Sequence, residues 1–177
     1  MLTIQSLSGN HNRKEFDCGK PELNEWLSRF ARQHQERDIS QTFVAVDPAS
    51  PSTILGFYAL TACEVVTAEL PLEIAARLPR KAPGVRLGRL AVDRSVQRQG
   101  VGELLLLNAL KRSCETRKHI GVFALFVDAK DEDAVAFYKK YGFLALPDSP
   151  KTLVLPLAKV CEKWLKVPVT PGVIPRA

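Results

Sequence analysis

The chain has 177 residues, 46% of them hydrophobic and 25% charged, with a net charge of +6, values that suit one globular domain with a buried core. No apolar run approaches the roughly 20 residues that cross a bilayer, and Met1 to Asn10 lacks the basic start and apolar stretch of a signal peptide. The composition therefore excludes a membrane-spanning protein and predicts a cytoplasmic one.

Periodicity predicts the elements of the first half of the chain. Leu2 to Leu7 alternates like a strand, and apolar residues at helical spacing predict a helix that begins near Pro21 and runs to about Gln35. Apolar runs at 42–46 and 54–61 flank a turn-rich segment and predict a hairpin. A short helix at 71–78 and a basic loop that contains Pro79 and Pro83 are expected next.

The second half alternates between strands and helices. The predicted elements are a strand at 85–93, a helix from Gly100 to about Arg117, a buried strand at 120–127, a helix at 131–141, a strand at 152–157 and a final helix at 157–165. The order β-α-β-β-β-α-β-α-β predicts an α/β fold with a mixed central sheet and helices on both faces. One domain is expected over 1–167, with a flexible tail at 168–177.

The cysteines and histidines are scattered along the sequence. Cys18, Cys63, Cys114 and Cys161 form no Cys-x-x-Cys pair, and the three histidines are isolated from them and from one another. A zinc site needs clustered ligands at short spacings. No metal site is therefore predicted, and the cysteines are expected to be reduced, mostly buried thiols.

The positive charge is concentrated in one segment. Residues 77–102 contain seven basic residues and a single acid, Asp93, whereas the rest of the chain is balanced at 18 basic and 18 acidic residues. Such a patch attracts a polyanion, either a nucleotide phosphate or a nucleic-acid backbone. The alternative is a solvated loop whose charges bind nothing specific.

Within this segment, a polar loop after a strand leads into an apolar helix that opens with Gly100 and Gly102. A helix start has unpaired N–H groups and partial positive charge, and glycine lets phosphate oxygens approach the backbone. The loop is not a Walker A motif, because no Gly-Lys-Ser/Thr follows, and Leu105 replaces the third small residue of a Rossmann fingerprint. A diphosphate cradle and a simple helix start both remain possible from this pattern.

Gln97-Arg98-Gln99-Gly100-Val101-Gly102 matches the Gln/Arg-x-x-Gly-x-Gly/Ala motif, and Phe137-Tyr138-Lys139-Lys140-Tyr141-Gly142-Phe143 the Phe-Tyr-x-x-x-Gly-Phe signature, of the GNAT acetyltransferase superfamily. The resemblance spans about residues 2–157. The segments 16–19, 23–27, 87–93 and 127–129 resemble the TacT/AtaT-type toxins within that superfamily. Those toxins acetylate the α-amine of aminoacyl-tRNA with acetyl-CoA. The resemblance further implies a ribbon-helix-helix antitoxin and a homodimer.

The resemblance also implies roles for individual residues. The diphosphate of acetyl-CoA is expected to contact backbone N–H groups of Gln99, Gly100, Val101 and Gly102, with Arg94, Gln97 and Arg98 beside it. The strand Leu90-Ala91-Val92 is expected to pair with the pantetheine arm, and an N–H near Val92 to polarise the thioester carbonyl. The tRNA contacts are expected from Arg77, Arg80, Lys81, Arg86 and Arg89.

Tyr138 is the predicted general acid, because a phenol can protonate the leaving thiolate. From the residues alone its place on one helical face with Ala134 and Phe137 favours a core residue, and the acid role is what the resemblance implies, with Tyr141 as a second candidate. No general base stands out among Asp93, Glu103 and Asp128. Two other functions stay open: a GNAT enzyme acting on a small amine or a protein N-terminus, and a non-catalytic CoA-binding or nucleic-acid-binding module.

Overall fold

The structure, a computed structural model, describes residues 1–165. Within these residues seven strands form one mixed sheet: β1 (Thr3–Ser6), β2 (Gln41–Val46), β3 (Gly56–Val66), β4 (Lys81–Val92), β5 (Ala124–Asp128), β6 (Leu144–Leu146) and β7 (Ser149–Pro156). The α-helices are α1 (Pro21–Glu25), α2 (Ala31–Glu36), α3 (Leu72–Ala75), α4 (Val101–Thr116), α5 (Glu132–Lys140) and α6 (Leu157–Leu165). None of these helices has the length and apolar character that crossing a bilayer requires.

The strand order across the sheet is β1-β2-β3-β4-β5-β7-β6. β2 lies antiparallel between β1 and β3, and β7 pairs antiparallel with both β5 and β6. The predicted hairpin at 42–61 is therefore confirmed, and so is the α/β class with a mixed sheet. The predicted tail at 168–177 lies outside the described residues.

The chain divides into two compact units, and β3, β4 and α4 each contribute residues to both. The first unit comprises Met1–Ala62 and Arg86–Leu110, and the second comprises Cys63–Val85 and the chain from Lys111 onward. The expectation of a single domain over 1–167 stays a prediction.

The core of the first unit is aromatic. Phe57 on β3 is fully buried, and its ring lies 5.3 Å from Phe16 and 5.9 Å from Trp26 between centroids. Trp26 comes from a π-helical turn, Trp26–Phe30, that joins α1 to α2. The helix begins at Pro21, as predicted, since proline has the helical φ and lacks the N–H that a first turn leaves unpaired. The π-turn was not predicted.

One buried cluster of the second unit is mostly aliphatic and surrounds a single phenylalanine ring. Phe126 on β5 packs with Val65, Leu70 and Val154, and Leu146 joins this cluster. Leu146 belongs to β6, a short strand that the sequence analysis missed. Three residues are too few to show an alternating pattern, and only the antiparallel pairing with β7 identifies them as a strand.

Two predicted boundaries are wrong. The basic loop with Pro79 and Pro83 ends sooner than predicted, because β4 begins at Lys81 and includes Pro83, whose carbonyl accepts the Phe123 N–H at 2.9 Å. The buried strand predicted from Ile120 begins instead at Ala124. Ile120 is 60% exposed. Its N–H donates to the carbonyl of Thr116, the last residue of α4, so Ile120 belongs to the turn that ends this helix.

The expectation of reduced thiols is wrong for two of the four cysteines. Cys114 near the end of α4 and Cys161 on α6 form a disulfide, with their Cα atoms 5.6 Å apart. They are 47 residues apart in the sequence, so the disulfide could not be predicted from a local cysteine spacing. Cys18 and Cys63 are thiols.

We predict that Gly84→Ala destabilises the protein. A Cβ at Gly84 would lie 2.5 Å from one ring carbon of Phe126 and 2.7 Å from another, and Phe126 is fully buried and unable to retreat. Overpacking of this kind costs about 1–3 kcal/mol. Gly88→Ala on the same strand is the control, because no heavy atom beyond the neighbouring residues lies within 4 Å of its Cβ position. Urea unfolding checks the pair, and equal stabilities would contradict the packing.

Candidate active site

The loop that follows β4 is organised by the carboxylate of Asp93. It accepts the Ser95 N–H at 3.0 Å and the Ser95 hydroxyl at 2.7 Å, which caps a 3-10 turn at Arg94–Val96. Burial would raise the pKa of Asp93, but the hydrogen bonds from Ser95 and Asp17 outweigh burial and hold that pKa below its ordinary value. Asp93 is therefore an ionised structural group and a poor candidate for the general base.

Two residues with positive φ turn the loop into α4. Arg98 has φ of 61° and Gly100 has φ of 83°, and Arg98, Gln99 and Gly100 are all exposed. The left-handed Gly100 beside the helical Val101 turns successive N–H groups to one side, an arrangement that favours a concavity for anions. The first N–H groups of α4 add to it, since a helix start has no internal acceptors for them. A diphosphate cradle at this helix start stays a prediction.

Gln97 and Arg94, both predicted beside the cofactor, also have protein partners. The Gln97 side-chain amide donates to the Val92 carbonyl and to the Cys18 carbonyl, each at 3.0 Å. The Arg94 guanidinium lies 3.1 Å from the Asp17 carboxylate. These two side chains therefore support the loop. Of the other predicted diphosphate contacts, Arg98, Gln99 and Gly100 are exposed, whereas Gly102 is half-buried and Val101 is buried.

The last residues of β4 present their main chain in alternate directions. The Asp93 N–H points toward β3, where it donates to the Leu55 carbonyl at 2.9 Å. Because neighbouring residues of a strand direct their polar groups to opposite edges, the N–H and carbonyl of Val92 face away from β3. Ala91 is buried, while Leu90 and Val92 are half-buried. The Val92 carbonyl accepts the Gln97 amide, and pairing of this edge with pantetheine stays a prediction.

Tyr138 lies in α5 with its ring among other aromatic rings. Its centroid is 5.2 Å from Phe137 and 5.5 Å from Phe143, and only 6% of the residue is exposed. Burial raises the pKa of Tyr138 far above the ordinary tyrosine value, and the negative charge of Asp128 raises it further. The phenol is thus protonated throughout the neutral range. Tyr141, the second candidate, is half-buried at the end of α5.

The basic residues predicted to hold tRNA differ in their surroundings. Arg77 and Arg80 are exposed. Lys81 is also exposed, and its ammonium lies 2.6 Å from the Glu64 carboxylate, whose hydrogen bond and charge raise the pKa of Lys81. Arg86 is half-buried. These side chains do not form one uniform exposed patch.

Arg89, the predicted tRNA contact next to Leu90 on β4, is stacked on an indole ring. Its guanidinium carbon lies 4.3 Å from the centroid of Trp26, and burial lowers the pKa of Arg89. Cation–π contacts of this kind fix the guanidinium against the ring face. Sequence reasoning missed Trp26 as a partner, because helical spacing predicted only that it is buried.

Of the other base candidates, Asp128 at the end of β5 accepts the Thr152 hydroxyl at 3.1 Å, and Glu103 is half-buried in the first turn of α4. Within residues 1–165 no three histidine, cysteine, aspartate or glutamate side chains cluster as a metal site would require.

A family model described as an acetyltransferase (GNAT) domain matches residues 64–152, about half of the chain. The match includes both the segment 97–102 and the segment 137–143. The chain belongs to the GNAT acetyltransferase family.

Toxins are among the proteins that this chain resembles. A tRNA-acetylating toxin of Mycobacterium tuberculosis is 34% identical over 140 residues, which is 79% of this chain and 82% of the toxin. The solved structure of AtaT complexed with acetyl-methionyl-tRNAfMet is 30% identical, with a TM-score of 0.86 over 94% of this chain and 100% of that one.

A further solved structure shows a tyrosine-to-phenylalanine mutant of the AtaT toxin bound to acetyl-CoA and to the C-terminus of the antitoxin AtaR. It is 29% identical to this chain, with a TM-score of 0.80 over 94% of this chain and 99% of that one. This GNAT protein thus resembles toxins over almost its whole length.

We predict that the left-handed backbone at Arg98 is strained. A side chain with a Cβ costs about 1–2 kcal/mol in that region, whereas glycine adopts it freely. Arg98→Gly should therefore be about 1 kcal/mol more stable toward urea than Arg98→Ala, which removes the same charge but keeps a Cβ. A glycine variant no more stable than the alanine variant would show that the free protein does not hold this conformation.

Proposed function

We propose that this GNAT protein is the toxin of a toxin–antitoxin pair, which transfers the acetyl group of acetyl-CoA to the α-amine of aminoacyl-tRNA and so blocks translation. The observation that carries the proposal is the full-length likeness to AtaT in complex with acetyl-methionyl-tRNAfMet. The tRNA-acetylating toxin of Mycobacterium tuberculosis supports the same activity from sequence.

The start of α4 is the proposed site for the diphosphate of acetyl-CoA. The backbone N–H groups of Gln99 to Gly102 would bind its oxygens, and Arg98, exposed beside them, would add a positive charge. The edge of β4 at Val92 would pair with the pantetheine arm, and an N–H there would polarise the thioester carbonyl. The structure of AtaT with acetyl-CoA supports this cosubstrate.

Tyr138 is the proposed donor to the leaving sulfur. Its burial keeps the phenol protonated at neutral pH. An alkyl thiol has a pKa near 8.5, so full proton transfer from a phenol with a raised pKa would be uphill. We therefore infer that Tyr138 stabilises the departing thiolate mainly as a hydrogen-bond donor. The relative that binds acetyl-CoA was solved with a tyrosine replaced by phenylalanine, which fits a functional tyrosine.

The acceptor amine does not need a strong base. A free α-amine has a pKa near 8, and an ester-linked one is lower because the ester withdraws electrons, so much of it is neutral at pH 7. Asp93 is held ionised by hydrogen bonds inside the loop. An α-amine therefore suits this chain better than a lysine side chain, whose pKa is near 10.4.

The tRNA backbone is proposed to bind to the basic segment through Arg77, Arg80, Lys81 and Arg86. Phosphate contacts by such residues position a nucleic acid without reading its sequence. The stacked Arg89 would offer a fixed charge rather than a mobile one. An aminoacyl-tRNA substrate and an antitoxin place the proposed activity in the cytoplasm. The antitoxin of ribbon-helix-helix type and the homodimer belong to this proposal, and the AtaR complex supports the antitoxin.

Mass spectrometry of charged tRNA after incubation with the protein and acetyl-CoA tests the proposal. We expect an acetyl group on the amino acid of at least one aminoacyl-tRNA. Unchanged aminoacyl-tRNA, under conditions in which the same protein acetylates a small amine or a peptide N-terminus, would favour the alternative GNAT activity.

We predict that Tyr138→Phe lowers kcat by about 10²-fold or more, the usual contribution of a positioned proton donor. Growth should be restored in cells that express the variant. Binding of acetyl-CoA should persist, because phenylalanine preserves the ring packing against Phe137 and Phe143.

Tyr141→Phe is the matched control on the same helical segment, and it should stay toxic. Full toxicity of Tyr138→Phe would refute the role of the phenol. Loss of toxicity in both variants would point to packing of this aromatic group rather than to proton donation.

We predict that replacing both Arg77 and Arg80 with alanine raises KM for aminoacyl-tRNA and leaves KM for acetyl-CoA unchanged. The dependence of log KM on log salt should become shallower by about 0.7–0.9 for each phosphate that the variant no longer neutralises. Arg117 and Lys118, also exposed but outside the basic segment, give the control double variant. An unchanged salt dependence would remove the two arginines from the tRNA site.

A further inference from the structure

The segment 16–24, which precedes and opens α1, is bonded to the loop after β4 at several points. Its central residue is Asp17, 76 residues from Asp93 in the sequence. One carboxylate oxygen of Asp17 accepts the Gly19 N–H and the Asn24 side-chain amide, each at 2.8 Å. The other oxygen lies 3.1 Å from the Arg94 guanidinium. Asp17 therefore orders its own segment and contacts the loop.

The main chains of the two segments are also joined at this point. The Asp17 N–H donates to the Asp93 carboxylate at 3.0 Å, and the Asp17 carbonyl accepts the Arg94 N–H at 2.9 Å. These two bonds run in opposite directions between the same pair of segments. They fix both the distance and the orientation of the loop relative to residue 17.

A second connection lies farther along the loop. Gln97 bridges the Cys18 carbonyl and the Val92 carbonyl with one amide nitrogen. The Cys18 N–H in turn donates to the Asn24 side chain at 2.9 Å. Asn24 thus bonds to Asp17 with its amide nitrogen and to Cys18 with its amide oxygen. The Asp17–Asn24 pair therefore positions Cys18, whose carbonyl accepts the Gln97 amide.

Gly19 lets the two segments approach each other this closely. It has φ of 81°, and a Cβ at this position would lie 2.8 Å from Nε of Arg94. A larger residue would clash with the arginine and strain the backbone. The close approach keeps the Arg94 side chain against residue 19 and within reach of Asp17.

The loop needs this external support because burial does not order it. Arg94, Ser95 and the residues from Gln97 to Gly100 are exposed, and two of them have positive φ. An exposed loop in an uncommon backbone conformation would otherwise sample many states. A binding site that must be ordered by its ligand loses affinity, and one that is held in advance does not.

We propose that Asp17 is a positioning residue, which holds the loop at 93–100 in the conformation that receives the diphosphate of acetyl-CoA. The proposal rests on the proposed function of the α4 start. Asp17 touches no reacting group and acts through the loop, with Asn24 as its partner. Replacing Asp17 should therefore weaken the binding of acetyl-CoA and leave the binding of the acceptor substrate unchanged.

Calorimetric titration of acetyl-CoA into the whole protein tests the proposal without any tRNA. Asp17→Ala removes all three side-chain bonds and should weaken binding by about tenfold or more. Asp17→Asn keeps an oxygen for Gly19 and Asn24 and loses only the ion pair to Arg94, in which both side chains are about half exposed or more. Such pairs contribute little, so this variant should bind within about threefold of wild type.

Steady-state kinetics separate positioning from a loss of folded enzyme. For Asp17→Ala we expect KM for acetyl-CoA to rise by about the same factor as the dissociation constant, with KM for aminoacyl-tRNA within about twofold of wild type. Misfolding would lower the active fraction and leave both KM values unchanged. Asn24→Ala is the second variant, and it should shift the same KM even if Asp17→Ala folds poorly.

Asp47→Ala is the matched control. Asp47 accepts the N–H of Ala49, two residues ahead, at 2.9 Å, as Asp17 accepts that of Gly19, but in the turn between β2 and β3. It should bind acetyl-CoA like wild type. Wild-type affinity in Asp17→Ala and Asn24→Ala would overturn the positioning role alone. A wild-type protein that ignores acetyl-CoA would overturn the proposed function itself.

Discussion

The backbone at the end of β4 has to satisfy two opposed demands. In the proposed site its amides must be left open for an anion, yet an exposed loop with open amides has little burial to hold it in place. Asp93 resolves part of this conflict by capping the turn that follows the strand, with Ser95 as its partner. Arg98 and Gly100 then turn the chain into α4 through left-handed conformations. Most other features of the proposed site depend on this short stretch.

Tyr138, in contrast to the exposed loop, is held in place by burial. It lies among aromatic rings and is almost completely buried, so its phenol keeps its proton. Burial makes the group a good donor and a poor acid at the same time, because the charged form is disfavoured more than the neutral one. A proton donor that stabilises a thiolate without fully giving up its proton fits this environment.

The basic side chains of the segment 77–102 differ in how firmly protein contacts hold them. Lys81 is paired with Glu64, Arg94 with Asp17, and Arg89 lies on Trp26. Several of the basic residues between 77 and 102 therefore have protein partners. Nucleic acid would meet a mixture of fixed and mobile charges, and the fixed ones cost less conformational entropy when they bind.

The sequence by itself determined the features that depend on neighbouring residues. The order of strands and helices follows from hydrophobic periodicity, and the helix start after β4 follows from two glycines two residues apart, because each is a property of a short stretch of chain. The position of Tyr138 within an aromatic face of α5 follows in the same way. These patterns also supported the family resemblance that the comparisons confirmed.

Only the tertiary structure decided which distant residues meet. Asp17 bonds to Asp93 across 76 residues, Cys114 joins Cys161 across 47, and Arg89 stacks on a tryptophan from the first helical segment. Nothing in the local pattern around any of these residues specifies its partner, because hydrogen bonds, disulfides and ring contacts depend on distances that exist only after the chain has folded. The same reason explains why the bonds from Gln97 to the Cys18 and Val92 carbonyls could not be predicted.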